Sequence, residues 1–230
     1  MMVGNDTREG GRVLIGCECS GRVRDAFRER GIDAVSCDLN PTERPGPHIQ
    51  GDVREVLNDG WDAAIMFPDC TYLCSSGLHW NRRRPDRAQL TSEAVAFVEA
   101  LWAAPVPRMA IENPIGCLST QSTLGAPSQI VQPWQHGDDA SKATCLWLRG
   151  LPRLLPTGLA APRMVMYGEH AGKLRWGNQT DSGQNALAPS PDRAANRART
   201  YHGIALAMAA QWAPALLDTK GRAASKRIAG

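Results

Sequence analysis

Short apolar runs that stop at small or acidic residues alternate with segments whose apolar positions recur three and four apart. Arg12-Val13-Leu14-Ile15-Gly16-Cys17 is the first run, and it breaks at Glu18-Cys19-Ser20-Gly21. Val23, Ala26 and Phe27 then recur at helical spacing as far as Arg30, with Gly31 placed as a C-cap. Ile32 to Cys37 is a second run, ending at Asp38, and Asp62-Ala63-Ala64-Ile65-Met66 is a third, ending at Phe67-Pro68. Runs of this length bounded by turn formers read as buried strands of a parallel sheet. Between them, Gly51-Asp52-Val53 opens a short helix through Leu57, with Asp52 in the position of an N-cap.

The second half repeats the pattern. Thr91 to Ala103 is an amphipathic helix with Val95, Val98, Leu101 and Trp102 on its buried side. Pro107 to Ile111 is a strand that ends in Glu112-Asn113-Pro114, where proline asks the preceding residue to be extended. Ala143 to Leu148 is a further strand, with Lys142 just before it. Residues 151–195 are rich in Pro and Gly and lack periodicity, so they read as an irregular insert. Ile204, Ala205, Met208, Ala209 and Trp212 mark a last helix. The organisation expected is one α/β domain over 12–150 and 196–217, the insert at 151–195, and flexible termini at 1–11 and 218–230.

Composition changes this picture little. Hydrophobic residues are 43% and charged residues 21% of the 230, ordinary for a globular chain. No run approaches the roughly 18 apolar residues of a membrane span, and no signal-peptide core opens the sequence, so a cytoplasmic setting is expected. The seven cysteines are scattered without a repeated Cys-x-x-Cys, which reads as reduced thiols and gives no metal site. Net charge is only +3, but Arg82, Arg83, Arg84 and Arg87 are clustered, as are Arg193, Arg197 and Arg199. Such runs form either a solvated face or a phosphate-contacting loop. His79 and Trp80, just before the first cluster, read as rim-packed loop anchors.

The candidate chemistry lies at the strand ends. Ligands of parallel sheets bind beyond the carboxyl ends of the strands, which is where Phe67-Pro68-Asp69-Cys70 falls. A thiol there is a nucleophile, a metal ligand or a small apolar filler. Glu112 would face the same rim, although a plain turn residue before Asn-Pro reads the same way. The first strand, small-residue turn, helix, second strand and Asp38 have the layout of a Rossmann-like nucleotide site. Only Gly21 stands where G-x-G-x-x-G has three glycines, so a nucleoside without phosphates fits better than a dinucleotide.

In this order the features resemble the DNA (cytosine-5) methyltransferase family, particularly its short phage-type members. Cys17-Glu18-Cys19-Ser20-Gly21 stands where the family's first S-adenosylmethionine motif falls, and Asp38 matches its ribose-binding acid. Gly51-Asp52-Val53 matches the segment beside the adenine, Pro68-Asp69-Cys70 looks like the Pro-Cys catalytic loop, and Glu112-Asn113-Pro114 looks like the Glu-Asn motif. The helix after Gly203 resembles the last motif, which completes the cofactor pocket.

The resemblance implies an α/β, Rossmann-like methyltransferase fold, with a mostly parallel sheet and helices on both faces. It implies S-adenosylmethionine held by Cys17, Glu18, Ser20, Gly21, Asp38, Asp52, Val53, Pro68 and Gly203. Cys70 would attack carbon 6 of cytosine, Glu112 would serve ring N3, Asn113 would hold the loop or the base, and Lys142 would stabilise charge on the ring carbonyl. The partner implied is DNA with a flipped cytosine, in a bacterial host cell. Three departures stand out. The first motif lacks its aromatic and a glycine, Asp69 replaces the usual proline, and Lys142 and Thr144 replace two arginines. The stretch from Leu148 to the last helix has no room for a large target-recognition domain. A free pyrimidine nucleotide as substrate, a protein partner that finds the target, an amino-methyltransferase, and a non-catalytic binding relative therefore stay open.

Overall fold

β1 (Arg12–Gly16) lies inside a seven-stranded sheet, and its alternating side chains belong to two separate cores. Val13 and Ile15 face one way and Leu14 the other, and all three are fully buried. A strand covered on both faces must be apolar at every position, which is why the sequence shows a run here and not an alternation. The structure, a computed structural model, describes residues 11–190 and 193–217, with side chains from 196 in the last stretch. The expected arm before Gly11 and the tail from residue 218 lie outside the described residues, and Gly11 itself is buried.

The chain continues through α1 (Arg22–Arg28), β2 (Asp33–Asp38), β3 (His48–Gln50), α2 (Val53–Val56) and β4 (Ala63–Met66). After α3 (Ser75–Leu78) and a 3-10 turn (His79–Arg82) come α4 (Pro85–Ala103), β5 (Met109–Pro114), α5 (Leu118–Gln121) and β6 (Gln129–Val131). β7 (Thr144–Arg149), a two-stranded hairpin of β8 (Arg163–Met164) and β9 (Leu174–Arg175), α6 (Arg193–Ala198) and α7 (His202–Leu217) complete it. The sheet order is β3-β2-β1-β4-β5-β7-β6. β1 to β5 are parallel to one another, while β7 runs antiparallel to both β5 and β6. The fold is α/β with a mostly parallel, mixed sheet.

Helices cover both faces. α1 and α7 pack together on one, where Phe27, Met208 and Trp212 meet Val13, Ile15 and Ile65. Trp212 is fully buried and its indole N–H donates to the Pro152 carbonyl at 2.9 Å. Emptying that position by truncation to alanine costs about 3–5 kcal/mol. Val95, Val98 and Leu101 of α4 cover the other face with Val53, Leu57 and Trp61.

Three departures from the expected boundaries have local causes. α4 begins at Pro85, not Thr91, because proline suits the first helical position, where its missing N–H is not needed. The arginine cluster is consequently not one loop, since Arg82 ends the 3-10 turn and Arg87 lies in α4. β5 continues through Glu112-Asn113-Pro114, because β7 supplies partners as far as Pro114 and Thr144. β3 and β6, three residues each, are too short for periodicity to mark.

Topology gathers the site. β1, β2, β4 and β5 all end at one edge of the sheet, and antiparallel β7 begins there. The chain turns from β1 outward to β2 and then crosses back to β4, so the β1–β4 gap is the switch point at which such sheets bind ligands.

Candidate functional site

A cleft of about 540 Å³ opens at that edge. Its first wall is the β1–α1 turn. Cys17 has φ 58°, a conformation that favours glycine, and its N–H donates to the Cys37 carbonyl at 2.8 Å. Gly21, at φ 72°, caps α1. Between them the buried Glu18 carboxylate accepts from the Ser20 hydroxyl and, at 3.2 Å, from the Gly21 N–H. Burial raises the Glu18 pKa against these hydrogen bonds. It raises the Cys17 thiol to about 12, with Asp38 adding to the effect.

The second wall comes from β2 and α2. Asp38 ends β2 and its Oδ1 accepts from the Asn40 N–H at 2.8 Å and side-chain amide at 2.9 Å. Asp52 is the N-cap of α2, accepting from the Arg54 N–H at 2.9 Å and pairing with the Arg54 guanidinium, which holds its carboxyl below the ordinary value. Val53 lines the cleft beside it, with Phe97 from α4.

A buried arginine fixes the loop after β2. Arg24 of α1 is fully buried, and its guanidinium donates to Ser36 Oγ (3.2 Å), Thr42 Oγ1 (3.1 Å) and the carbonyls of Arg44 and Pro45 (3.2 Å each). Asp25 balances its charge at 2.8 Å. The same loop is tied across the cleft mouth, where Arg199 donates to both carboxylate oxygens of Glu43 at 2.8 Å. No sequence signal marks Arg24 or Glu43, and Arg199 stands out only as a member of the late arginine cluster. Arg24 has the spacing of a solvated helix position, and Glu43 and Arg199 are 156 residues apart, with no local signal to join them.

The floor carries the thiol. Pro68, Asp69 and Cys70 follow β4 directly, and the Cys70 carbonyl accepts from the N–H groups of Leu73 and Cys74 at 3.0 Å each, closing a tight turn. Asn113, buried on β5, donates its amide to the Pro68 carbonyl at 2.9 Å. Asp69 turns to Thr71, accepting from its N–H (3.0 Å) and hydroxyl (2.7 Å). Burial, with a contribution from Cys74, pushes the Cys70 thiol up to about 11 against the opposing pull of Lys142. Glu112 is raised as well, by burial, while Lys142 and the Thr144 hydroxyl oppose the rise. Lys142 Nζ donates to the Arg197 carbonyl at 3.1 Å.

Ten of the residues expected at a site therefore line one cleft: the Cys17, Glu18 and Ser20 turn, Asp38, Asp52, Val53, Pro68, Cys70, Glu112 and Lys142. Gly21 and Asn113 stand behind them as supports. Gly203 does not line it. A Cβ there would lie 1.9 Å from the His136 carbonyl, and its N–H donates to Asp138 at 2.9 Å, so glycine is needed for the entry to α7. Trp80 is no rim-packed anchor either, being 45% exposed. Four thiols (Cys17, Cys19, Cys37, Cys70) reach the cleft, yet among the described residues no group of three or more His, Cys, Asp or Glu could hold a metal ion. Among the described residues no helix is long and apolar enough to cross a membrane. The sequence matches no protein-family model and no curated protein.

Proposed function

We propose that the protein methylates carbon 5 of cytosine in DNA, with Cys70 as the attacking group and S-adenosylmethionine as the methyl donor. The observation that carries this reading is the convergence of Cys70, Glu112 and Lys142, from the ends of β4 and β5 and the start of β7, on one cleft. The fit to the donor rests on charge. Glu18 occupies the turn where a dinucleotide would put its pyrophosphate, Asp38 ends the second strand where such folds hold a ribose hydroxyl, and the nearby cations Arg54 and Arg199 are each paired with a carboxylate. An acidic wall of this kind suits ribose hydroxyls and a cationic sulfonium, and repels pyrophosphate. Glu18, Asp38 and Asp52 would hold the nucleoside, with Val53 and Phe97 against its apolar parts.

The donor supplies an electrophilic methyl group. Cys70, once deprotonated, adds to carbon 6, and the electron pair displaced in the ring makes carbon 5 nucleophilic. Glu112, whose raised pKa keeps a proton on the carboxyl at higher pH, gives that proton to N3 as the sulfur attacks. Lys142 faces the charge that builds on the ring carbonyl. Once carbon 5 carries the methyl group, removal of its proton by a base expels the Cys70 thiolate, and N3 returns its proton to Glu112 as the ring is restored. Asn113 takes no part in bond making and fixes the Pro68 carbonyl, hence the thiol's position.

One observation favours a second reading. Burial pushes the Cys70 thiol up to about 11, so it is almost entirely protonated at pH 7. A relative that binds the nucleoside and nucleic acid without reacting is consistent with such a thiol. DNA carrying 5-fluorocytosine separates the two, because its carbon 5 substituent cannot leave and the adduct persists. Incubation with S-adenosylmethionine should give a covalent complex on denaturing gels that Cys70→Ser abolishes and Cys74→Ser retains. Calorimetric binding of S-adenosylhomocysteine without any adduct selects the non-catalytic reading, and tight NAD binding in its place removes both.

A further inference from the structure

The segment that leaves the Cys70 turn carries an exposed aromatic ring among arginines. Trp80 lies in the 3-10 turn, 45% exposed, with the His79 ring 4.9 Å away and tilted 41°, and the Arg83 guanidinium 5.8 Å from its centroid. Arg82, Arg83 and Arg84 are all exposed. Arg84 pairs with Asp86 at 2.9 Å, whereas among the described residues neither Arg82 nor Arg83 forms an ion pair with a carboxylate.

The turn is firmly held. Asn81 donates to the Thr91 hydroxyl at 2.9 Å, and that hydroxyl donates to the Tyr72 carbonyl at 3.0 Å. Arg87, over the Tyr72 ring at 4.9 Å, donates to the Thr71 carbonyl at 2.8 Å, one residue beyond Cys70. A large ring left in water on a braced turn needs a partner with a flat face, and the cations beside it need an anion. Single-stranded nucleic acid offers both, since each base has an open face and each linkage a phosphate. A duplex hides its base faces in the stack, and a ring at the surface meets only its backbone.

We propose that Trp80, Arg82 and Arg83 form a stacking platform for single-stranded nucleic acid, which presents an unpaired cytosine to the cleft. The delivery of a base to the cleft rests on the reading of that cleft as a cytosine site, but the platform's binding does not. A platform of this kind also removes the need for a large domain to open a duplex, since no base pair has to be broken.

Fluorescence anisotropy with the full chain tests this, using labelled oligonucleotides of about 20 nucleotides, longer than one platform's site. Single-stranded DNA, single-stranded RNA and the DNA duplex of the same sequence are compared without S-adenosylmethionine. Single strands should bind at least about tenfold tighter than duplex, and Trp80→Ala should lose about tenfold for the single strand while Trp80→Phe keeps most of the affinity. Arg82→Gln and Arg83→Gln should each lower the slope of log affinity against log salt by about 0.7. The DNA and RNA arms show which backbone is preferred. Duplex bound as tightly as single strand, or a folded Trp80→Ala with unchanged affinity, overturns the platform even if the Cys70 adduct forms. Single-strand binding that persists without S-adenosylhomocysteine binding or an adduct keeps the platform and sinks the methyl-transfer reading.

Discussion

The side-chain amide of Asn113 on β5 donates to the carbonyl of Pro68 at 2.9 Å, joining two strand ends 45 residues apart in the chain. The bond is buried, so Asn113→Ala leaves the Pro68 carbonyl without its donor. The expected loss is about 1–3 kcal/mol of stability, read from urea unfolding. Asn113→Asp should do no better, because it turns an oxygen toward an oxygen. Both variants should also alkylate faster at Cys70 with iodoacetamide, since the turn that holds the thiol is freed. A variant as stable as the parent would show that the Pro68 loop is held by other means.

A second contact holds the same turn from below. Gly116 follows β5, and a Cβ there would lie 1.9 Å from the Leu73 carbonyl. That carbonyl accepts from the Cys117 N–H at 2.9 Å, and the Ser75 N–H donates to the Ile115 carbonyl at 3.0 Å. Gly116→Ala cannot keep these bonds in place. It should destabilise by about 1–3 kcal/mol, the usual range for overpacking, and abolish the fluorocytosine adduct. A melting curve and an adduct gel together decide it, because an unshifted curve with a normal adduct contradicts the close approach.

Proton linkage gives an alkaline signature. Cys70 and Cys37 stand near 11 and Cys17 near 12, all raised mainly by burial, against an ordinary thiol value of about 8.5 in an unfolded chain. The folded chain therefore holds these protons more tightly. Their contribution to stability is complete below about pH 8.5 and is lost as pH rises through the folded values. Where all three are deprotonated only in the unfolded chain, stability should fall by up to about 4 kcal/mol per pH unit. Cys17→Ser should flatten that slope by about a third. Alkylation of Cys70 should rise about tenfold per pH unit up to about 10, where an ordinary thiol levels off near 8.5, and Lys142→Gln should slow it by removing the cation that favours the thiolate.

What could be read from the chain alone follows from where the physics is local. Buried parallel strands must be apolar throughout, so β1, β2, β4 and β5 stand out, and their ends mark Cys17, Asp38, Cys70 and Glu112 without any knowledge of the sheet order. Lys142 reaches the same edge only because β7 is antiparallel, and nothing in Ala143 to Leu148 encodes direction. The start of α4 was hidden because Pro85 and the exposed first turn carry no apolar periodicity. Gly203 was misplaced for the opposite reason: its glycine answers the His136 carbonyl, a contact 67 positions away in sequence terms that no helix-entry pattern distinguishes from a ligand contact.

Arg24 is the last test, because its sequence context says surface and its structure says keystone of the loop after β2. Its guanidinium makes four hydrogen bonds to Ser36, Thr42, Arg44 and Pro45 and pairs with Asp25, all while fully buried. Gly46 approaches so closely that a Cβ would lie 2.6 Å from the guanidinium carbon. Arg24→Met leaves two hydroxyls and two carbonyls without that donor and should destabilise by about 1–3 kcal/mol, the cost of polar groups left unpaired. Arg24→Lys keeps the charge, but one ammonium cannot span partners on both sides of the fork, so most of the loss should remain. The loop carries Leu39, Asn40 and Glu43 into the cleft beside Asp38, so S-adenosylhomocysteine affinity should fall about tenfold or more in Arg24→Lys under conditions where the variant is folded. Cys70 lies on the other side of the switch point and has no bond to this loop, so its alkylation rate should not change. Loss of cofactor binding with unaltered thiol reactivity assigns Arg24 to the nucleoside wall. If both change together, the variant has loosened the whole sheet edge, and the loop is not an independent part of the site.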